Sequence, residues 1–167
     1  MTPPTSSSLH DLATSFLAAF TNLSSANHLS LRAPECTHRY ASLINHIFAP
    51  STVQVNPKSN SDFATHMDAN IRPLLIAFPV TAKEIHINEP KRQITIWATG
   101  KPKFKADAMD GDENEWDYTG EYIFILDVNE EGRIERILEF LDSLATERLR
   151  GLMVRARKNV GKSGAAW

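Results

Sequence analysis

Residues 116–141 read WDYTGEYIFILDVNEEGRIERILEFL. Apolar and polar residues alternate on both sides of the Asn129-Glu130-Glu131-Gly132 step, and β-branched and aromatic types dominate. This pattern predicts two antiparallel strands, Trp116–Val128 and Arg133–Leu141, joined by a tight turn whose glycine can take a positive φ. In the first strand Tyr118, Tyr122, Phe124 and Leu126 share one face, and Gly120 interrupts it where the strand must curve. In the second, Glu139 stands between Ile137 and Leu141, an acid among apolar residues. A carboxylate avoids such a place unless it is paired or its neutral form is favoured. Glu139 is therefore either half of a structural ion pair or a proton-transfer group, and each tyrosine is either core or chemistry. Ile123 and Ile125 lie opposite Tyr122 and Phe124, so the strand is apolar on both sides. That predicts a homodimer built by pairing outer sheet faces.

Upstream, Val80–Ile87 and Gln93–Lys105 carry the same β-rich pattern. The longest strands exceed what a small flat sheet needs, so the sheet must curve strongly. Ala106–Glu115 is an acidic hairpin tip. Downstream, Asp142 caps a closing helix that carries Leu144, Leu149, Leu152 and Met153. The N-terminal half has the helical period instead. Leu9–Leu23 is amphipathic, with Ser8 as N-cap and Asp11 in its first turn, and Ser25–Leu31 is a short second helix stopped by Ala33-Pro34. Cys36–Leu43 is a short extended piece and Pro50–Ser61 a loop. Asp62–Phe78 is a third helix that Pro73 bends or divides. Helices first and an antiparallel meander last is α+β order. Helices packed on the concave side of a strongly curved antiparallel sheet leave a cone-shaped pocket with one open mouth. Residues 1–8 are expected to be a disordered leader, 9–157 a single domain, and 158–167 a basic flexible tail.

A chain of 167 residues with 42% hydrophobic and 23% charged residues can bury a core without disulfides or metal. No apolar run approaches the ~18 residues of a membrane span. The Pro/Ser/Thr-rich start carries no positive charge and no apolar block, so it does not read as a secretory signal. Cys36 is the single cysteine, which excludes an intrachain disulfide and a thiolate metal cluster. These features predict a cytoplasmic protein in which the Asn22-Leu23-Ser24 sequon is idle. Six basic and no acidic residues follow Glu147, leaving an acidic body that would repel a phosphate backbone, so nucleic acid is not an expected partner. Residues 156–163 match a relaxed phosphate-loop pattern but have no helix after them to cradle a phosphate. Asp107, Asp110, Asp112, Glu113 and Glu115 lack calcium-loop spacing. The six histidines show no spacing that puts two ligands on one helical face. Neither a metal nor a cofactor is expected.

The stretches Leu31–His38, Tyr118–Phe124 and Gly132–Ser143 resemble segments of small fungal SnoaL-like proteins, and the element order over about Leu9 to Ala145 is similar too. That resemblance implies the cone fold shared by ketosteroid isomerase and nuclear transport factor 2, usually as a homodimer. It implies cofactor-free isomerases, cyclases or dehydratases of secondary metabolism that act on apolar polyketide, terpenoid or alkaloid intermediates. A non-catalytic binding or dimerisation module of the same fold is the alternative. In such a pocket Glu139 would move a proton beside a carbonyl, while Tyr118 and Tyr122 donate to the developing oxyanion. The resemblance also implies an arginine near the first strand, for which Arg39 is the candidate and Arg32 the reserve, Arg32 otherwise anchoring the second helix. His66, on the third helix, points either inward or to solvent. One departure is that Tyr40-Ala41-Ser42-Leu43 lacks the proline typical of the family.

Overall fold

The computed structural model describes residues 4–40 and 57–162. Helix α1 spans Ser6–Thr21. It begins before the expected Leu9 because Thr5 and Ser8 cap it reciprocally, which satisfies two of its orphan N–H groups. Leu9, Ala13, Phe16, Leu17 and Phe20 form its buried stripe. Helix α2 is Ser25–Ser30, capped by Ser24. Strand β1 follows at once, Arg32–Tyr40, four residues earlier than the extended piece expected from Cys36. The rest of that expectation, 41–43, and the first part of the expected loop, 50–56, lie outside the described residues.

The helix expected over Asp62–Phe78 is shorter. Helix α3 is Asn60–His66, capped by Ser59 and Asp62, and it widens into a π-helical turn over Met67–Ile71. Proline at 73 cannot continue the ladder, and the chain turns into strand β2, Leu75–Ala77. Strands β3 (Val80–Asn88) and β4 (Gln93–Gly100) follow. The long strand expected to reach Lys105 breaks at Lys101-Pro102, after which β5 (Lys103–Phe104) pairs with β2 in a small separate sheet. Strand β6 runs Gly120–Val128, β7 Ile134–Leu141 and helix α4 Ser143–Asn159, with Asp142 as its N-cap.

The main sheet has the order β1-β7-β6-β4-β3. It is antiparallel except that β1 lies parallel to β7 along one edge. Being an edge strand explains how β1 holds Pro34, which falls inside a register irregularity between Arg32 and Thr37 and has no N–H to offer a neighbour. The protein is thus an α+β fold of helices on a curled sheet. One core packs α1 on β4, β6 and β7; a second gathers α3, β2, β5, Trp116, Tyr118 and α4. Phe78 packs against both.

The acidic tip meets the basic last turns of α4. Arg155 reaches Asp110 at 2.5 Å and Glu115 at 2.6 Å, and its guanidinium lies 4.9 Å over the Trp116 ring. Asn159 donates to the Ala108 carbonyl, so α4 stays docked beyond the expected domain boundary at 157. Among the described residues no helix is long and apolar enough to cross a membrane.

Candidate active site

The inward faces of β1, β6 and β7 converge on one cavity between the two cores. Alternation along β1 turns His38 and Tyr40 inward, and the parallel register sets Tyr40 beside Glu139. On β6, Tyr122 pairs with Ala98 and Leu141. Helices α3 and α4 supply His66 and Thr146. Together these residues line a small cavity. Phe20, Phe63, Met67, Phe78, Leu149 and Met153 make most of its wall apolar, the mix of apolar walls and few polar groups typical of a small-molecule site.

The polar groups form two sets. In the first, His38 Nε2 and Glu139 Oε2 are 2.7 Å apart, with both residues buried. Behind them Arg32 Nη2 donates to His38 Nδ1 at 3.5 Å, and the Arg32 guanidinium lies 3.9 Å over the Phe63 ring. Burial lowers the pKa of His38, and the neighbouring Arg32 and Lys58 lower it further against the pull of Glu139. The imidazole is neutral, so the contact is a hydrogen bond onto the Glu139 carboxylate. Lys58, bridged to His38 by two backbone hydrogen bonds, holds its ammonium 5.2 Å from the Tyr40 ring.

In the second set, the hydroxyls of Tyr118 and Tyr122 are 3.3 Å apart. Burial raises both pKa values, as it does for Tyr40, so all three phenols keep their protons and can donate. Two glycines make room for this pair. A Cβ on Gly120 would overlap the Tyr118 hydroxyl, and one on Gly100, its cross-strand partner, would meet the rings of Phe78 and Tyr122. The break in the β6 pattern at Gly120 thus serves the tyrosines as well as the curve.

Of the expected site residues, Glu139, Tyr122 and His66 line the cavity. Tyr118 sits behind Tyr122 in the second core. Arg39 does not join them. It is exposed, because one step along a strand reverses the side chain, and His38 already takes the inward face. The reserve, Arg32, is buried behind His38 rather than exposed to the cavity. His66 is held neutral, its pKa lowered to about 3 by burial. Two lining residues, His38 and Tyr40, were not among the expected set. Their i, i+2 spacing is the signal that a strand reading begun at Arg32 would have found. Among the described residues no group of three His, Cys, Asp or Glu side chains gathers as metal ligands do.

A curled sheet roofed by helices around an apolar cavity with a buried carboxylate defines the nuclear-transport-factor-2-like cone class. Solved structures of that class agree with the fold. AusH from Aspergillus nidulans aligns over 84% of this chain and 88% of its own, with a TM-score of 0.64 and 26% identity. BvnE pinacolase from Penicillium brevicompactum aligns over 89% and 92%, with a TM-score of 0.71 and 18% identity. No family model matches the chain. Austinoid biosynthesis cluster protein H from Aspergillus calidoustus is 30% identical over 145 residues, covering 84% of this chain and 87% of that protein. The chain belongs to this family of fungal SnoaL-like cone proteins of secondary metabolism.

Proposed function

We propose that the protein is a cofactor-free isomerase or cyclase that moves a proton on an apolar, carbonyl-bearing intermediate of secondary metabolism. The observation that carries this reading is the buried His38–Glu139 pair lining one mostly apolar cavity with Tyr40 and Tyr122, the Tyr122 hydroxyl being backed by that of Tyr118. The Glu139 carboxylate removes a proton from the carbon beside the carbonyl. The oxygen that gains charge accepts hydrogen bonds from Tyr122, which Tyr118 supports, and from Tyr40. Return of the proton at another carbon gives an isomer; addition of the enolate to an internal carbonyl, which breaks its C=O π bond and takes the proton back on that oxygen, gives a ring. Either way the product has the mass of the substrate. A positioned acid–base group contributes about 10²–10⁴-fold, and one oxyanion donor about 10²–10³-fold. The relatives named for austinoid biosynthesis clusters support a biosynthetic role of this kind. Arg39, exposed on the far face, takes no part.

Deleting the gene should make one metabolite accumulate and another of equal mass disappear, and the purified protein should convert the first into the second. A pair differing by two hydrogens or one oxygen, or no conversion, contradicts the reading.

The working form is a homodimer. Trp97, Ile123 and Phe140 face outward in register across β4, β6 and β7, and are 37%, 42% and 41% exposed. Light scattering at micromolar concentration should return the mass of two chains, and Ile123→Asp should return that of one. A native monomer contradicts the pairing.

A further inference from the structure

His38 and His66 both line the cavity, and behind the Nδ1 of each runs a chain of hydrogen bonds that begins at an arginine. Arg32 Nη2 lies 3.5 Å from His38 Nδ1. Arg157 Nη1 lies 3.1 Å from Asn70 Oδ1, and Asn70 Nδ2 lies 3.2 Å from His66 Nδ1. A guanidinium has donors and no acceptor, so the direction of each chain is set at its arginine end. His38 Nδ1 must accept. Asn70, with its oxygen turned to Arg157, presents N–H to His66, and His66 Nδ1 must accept as well. A neutral imidazole carries one proton; with Nδ1 accepting, that proton sits on Nε2.

We infer that Arg32 and Arg157 are positioning residues that hold the two cavity histidines as neutral Nε2–H donors, and that through His38 this keeps Glu139 Oε2 free of a proton, the form in which that oxygen serves as a base. The second part rests on the proton-transfer reading of the cavity; the tautomers do not. The His38 Nε2–H is what Glu139 Oε2 accepts at 2.7 Å. A proton on Oε2 would set its O–H against the Nε2–H, so the oxygen that faces His38 is kept proton-free and can only accept. The burial of Arg32 fits the role. It is 2% exposed, and its Nε and Nη1 have no hydrogen-bond partner among the described residues. A cation is costly in such a place, and its countercharge is Glu139, reached through His38. The chain behind His66 crosses from α4 to the π-helical turn after α3, so the C-terminal helix reaches the cavity through one amide.

Long-range proton–nitrogen correlation spectra of the full chain, labelled with nitrogen-15 near neutral pH, separate the two tautomers. Both histidines should show a pyrrole-like Nε2 and a pyridine-like Nδ1. Asn70→Asp replaces the amide by a group that can only accept, so the His66 proton should move to Nδ1 while His38 keeps its pattern. Arg32→Lys keeps a donor and should leave His38 unchanged; Arg32→Met should let its Nδ1–H form appear. With the metabolite that accumulates on gene deletion as substrate, Arg32→Met should lower kcat with KM held, and Arg32→Lys should restore part of it. A native protein with either histidine in the Nδ1–H form overturns the inference, as does an unchanged His66 in Asn70→Asp. Those two spectra decide it even if Arg32→Met does not fold. Correct tautomers alongside a fully active Glu139→Gln would instead sink the proton-transfer reading, and with it only the second part of the inference.

Discussion

Arg155 and Arg32 each lay a guanidinium over an aromatic ring, 4.9 Å above Trp116 and 3.9 Å above Phe63 respectively. Around them everything else differs. Arg155 keeps a side chain 35% exposed and touches two carboxylates directly, Asp110 and Glu115. Arg32 is 2% exposed and touches none; its charge meets Glu139 only through the His38 ring. Water screens the first cluster, which joins α4 to the acidic loop at little energetic consequence. In the second, the groups are buried, and each proton position is decided by its neighbours. The same pair of residue types thus fastens a surface in one region and sets protonation states in the other.

The contrast can be broken most forcefully at Glu139. Glu139→Ala strands the His38 N–H and leaves Arg32 without its countercharge, and should cost about 3–5 kcal/mol, read as a lowered urea midpoint with the slope unchanged. A loss within error would mean that the interior pair is as slack as the surface one.

Acid should expose the same difference. Burial lowers the pKa of His28 and His66 to about 3, whereas an unfolded histidine titrates near 6.5. Between those values the unfolded chain binds more protons. The stability these rings contribute is complete above about pH 6.5 and falls as the pH drops toward 3. His28 packs among Phe16, Phe20 and Phe63, and neither ring nitrogen has a hydrogen-bond partner among the described residues. His28→Leu should therefore flatten the dependence of the urea midpoint on pH between 7 and 5. An unchanged slope would show that His28 is not a source of it.

The smallest effect belongs to the surface. Arg155→Ala should move the melting curve little, less still in high salt, and leave turnover unchanged. A large loss would make this cluster part of the core.

What was legible in the sequence follows the same division. The β6–β7 ribbon announced itself because alternation is clean where one face is a core, and Glu139 stood out as the acid inside it. Tyr122 and the Asp142 cap were readable for the same local reasons. β1 was not. It is an edge strand carrying Pro34 and the exposed Glu35, Thr37 and Arg39, and its partner β7 lies about a hundred residues away in sequence. The resemblance implied an arginine near the first strand, and Arg39 was its candidate. Neighbours on a strand face opposite ways, so the inward positions belong to His38 and Tyr40, which nothing but their i, i+2 spacing marked. The pairing of Arg155 with the acidic loop was equally invisible, since charge runs show their sign but not their partner.

The most direct test of the account is Glu139→Gln, with melting temperature and conversion of the accumulated metabolite measured on the same preparation. The amide keeps the shape and an oxygen that can accept from His38, but it cannot take a proton. The account predicts a folded protein whose turnover falls by at least about 10²-fold with substrate affinity nearly unchanged. A Glu139→Gln protein that is stable and fully active would contradict it.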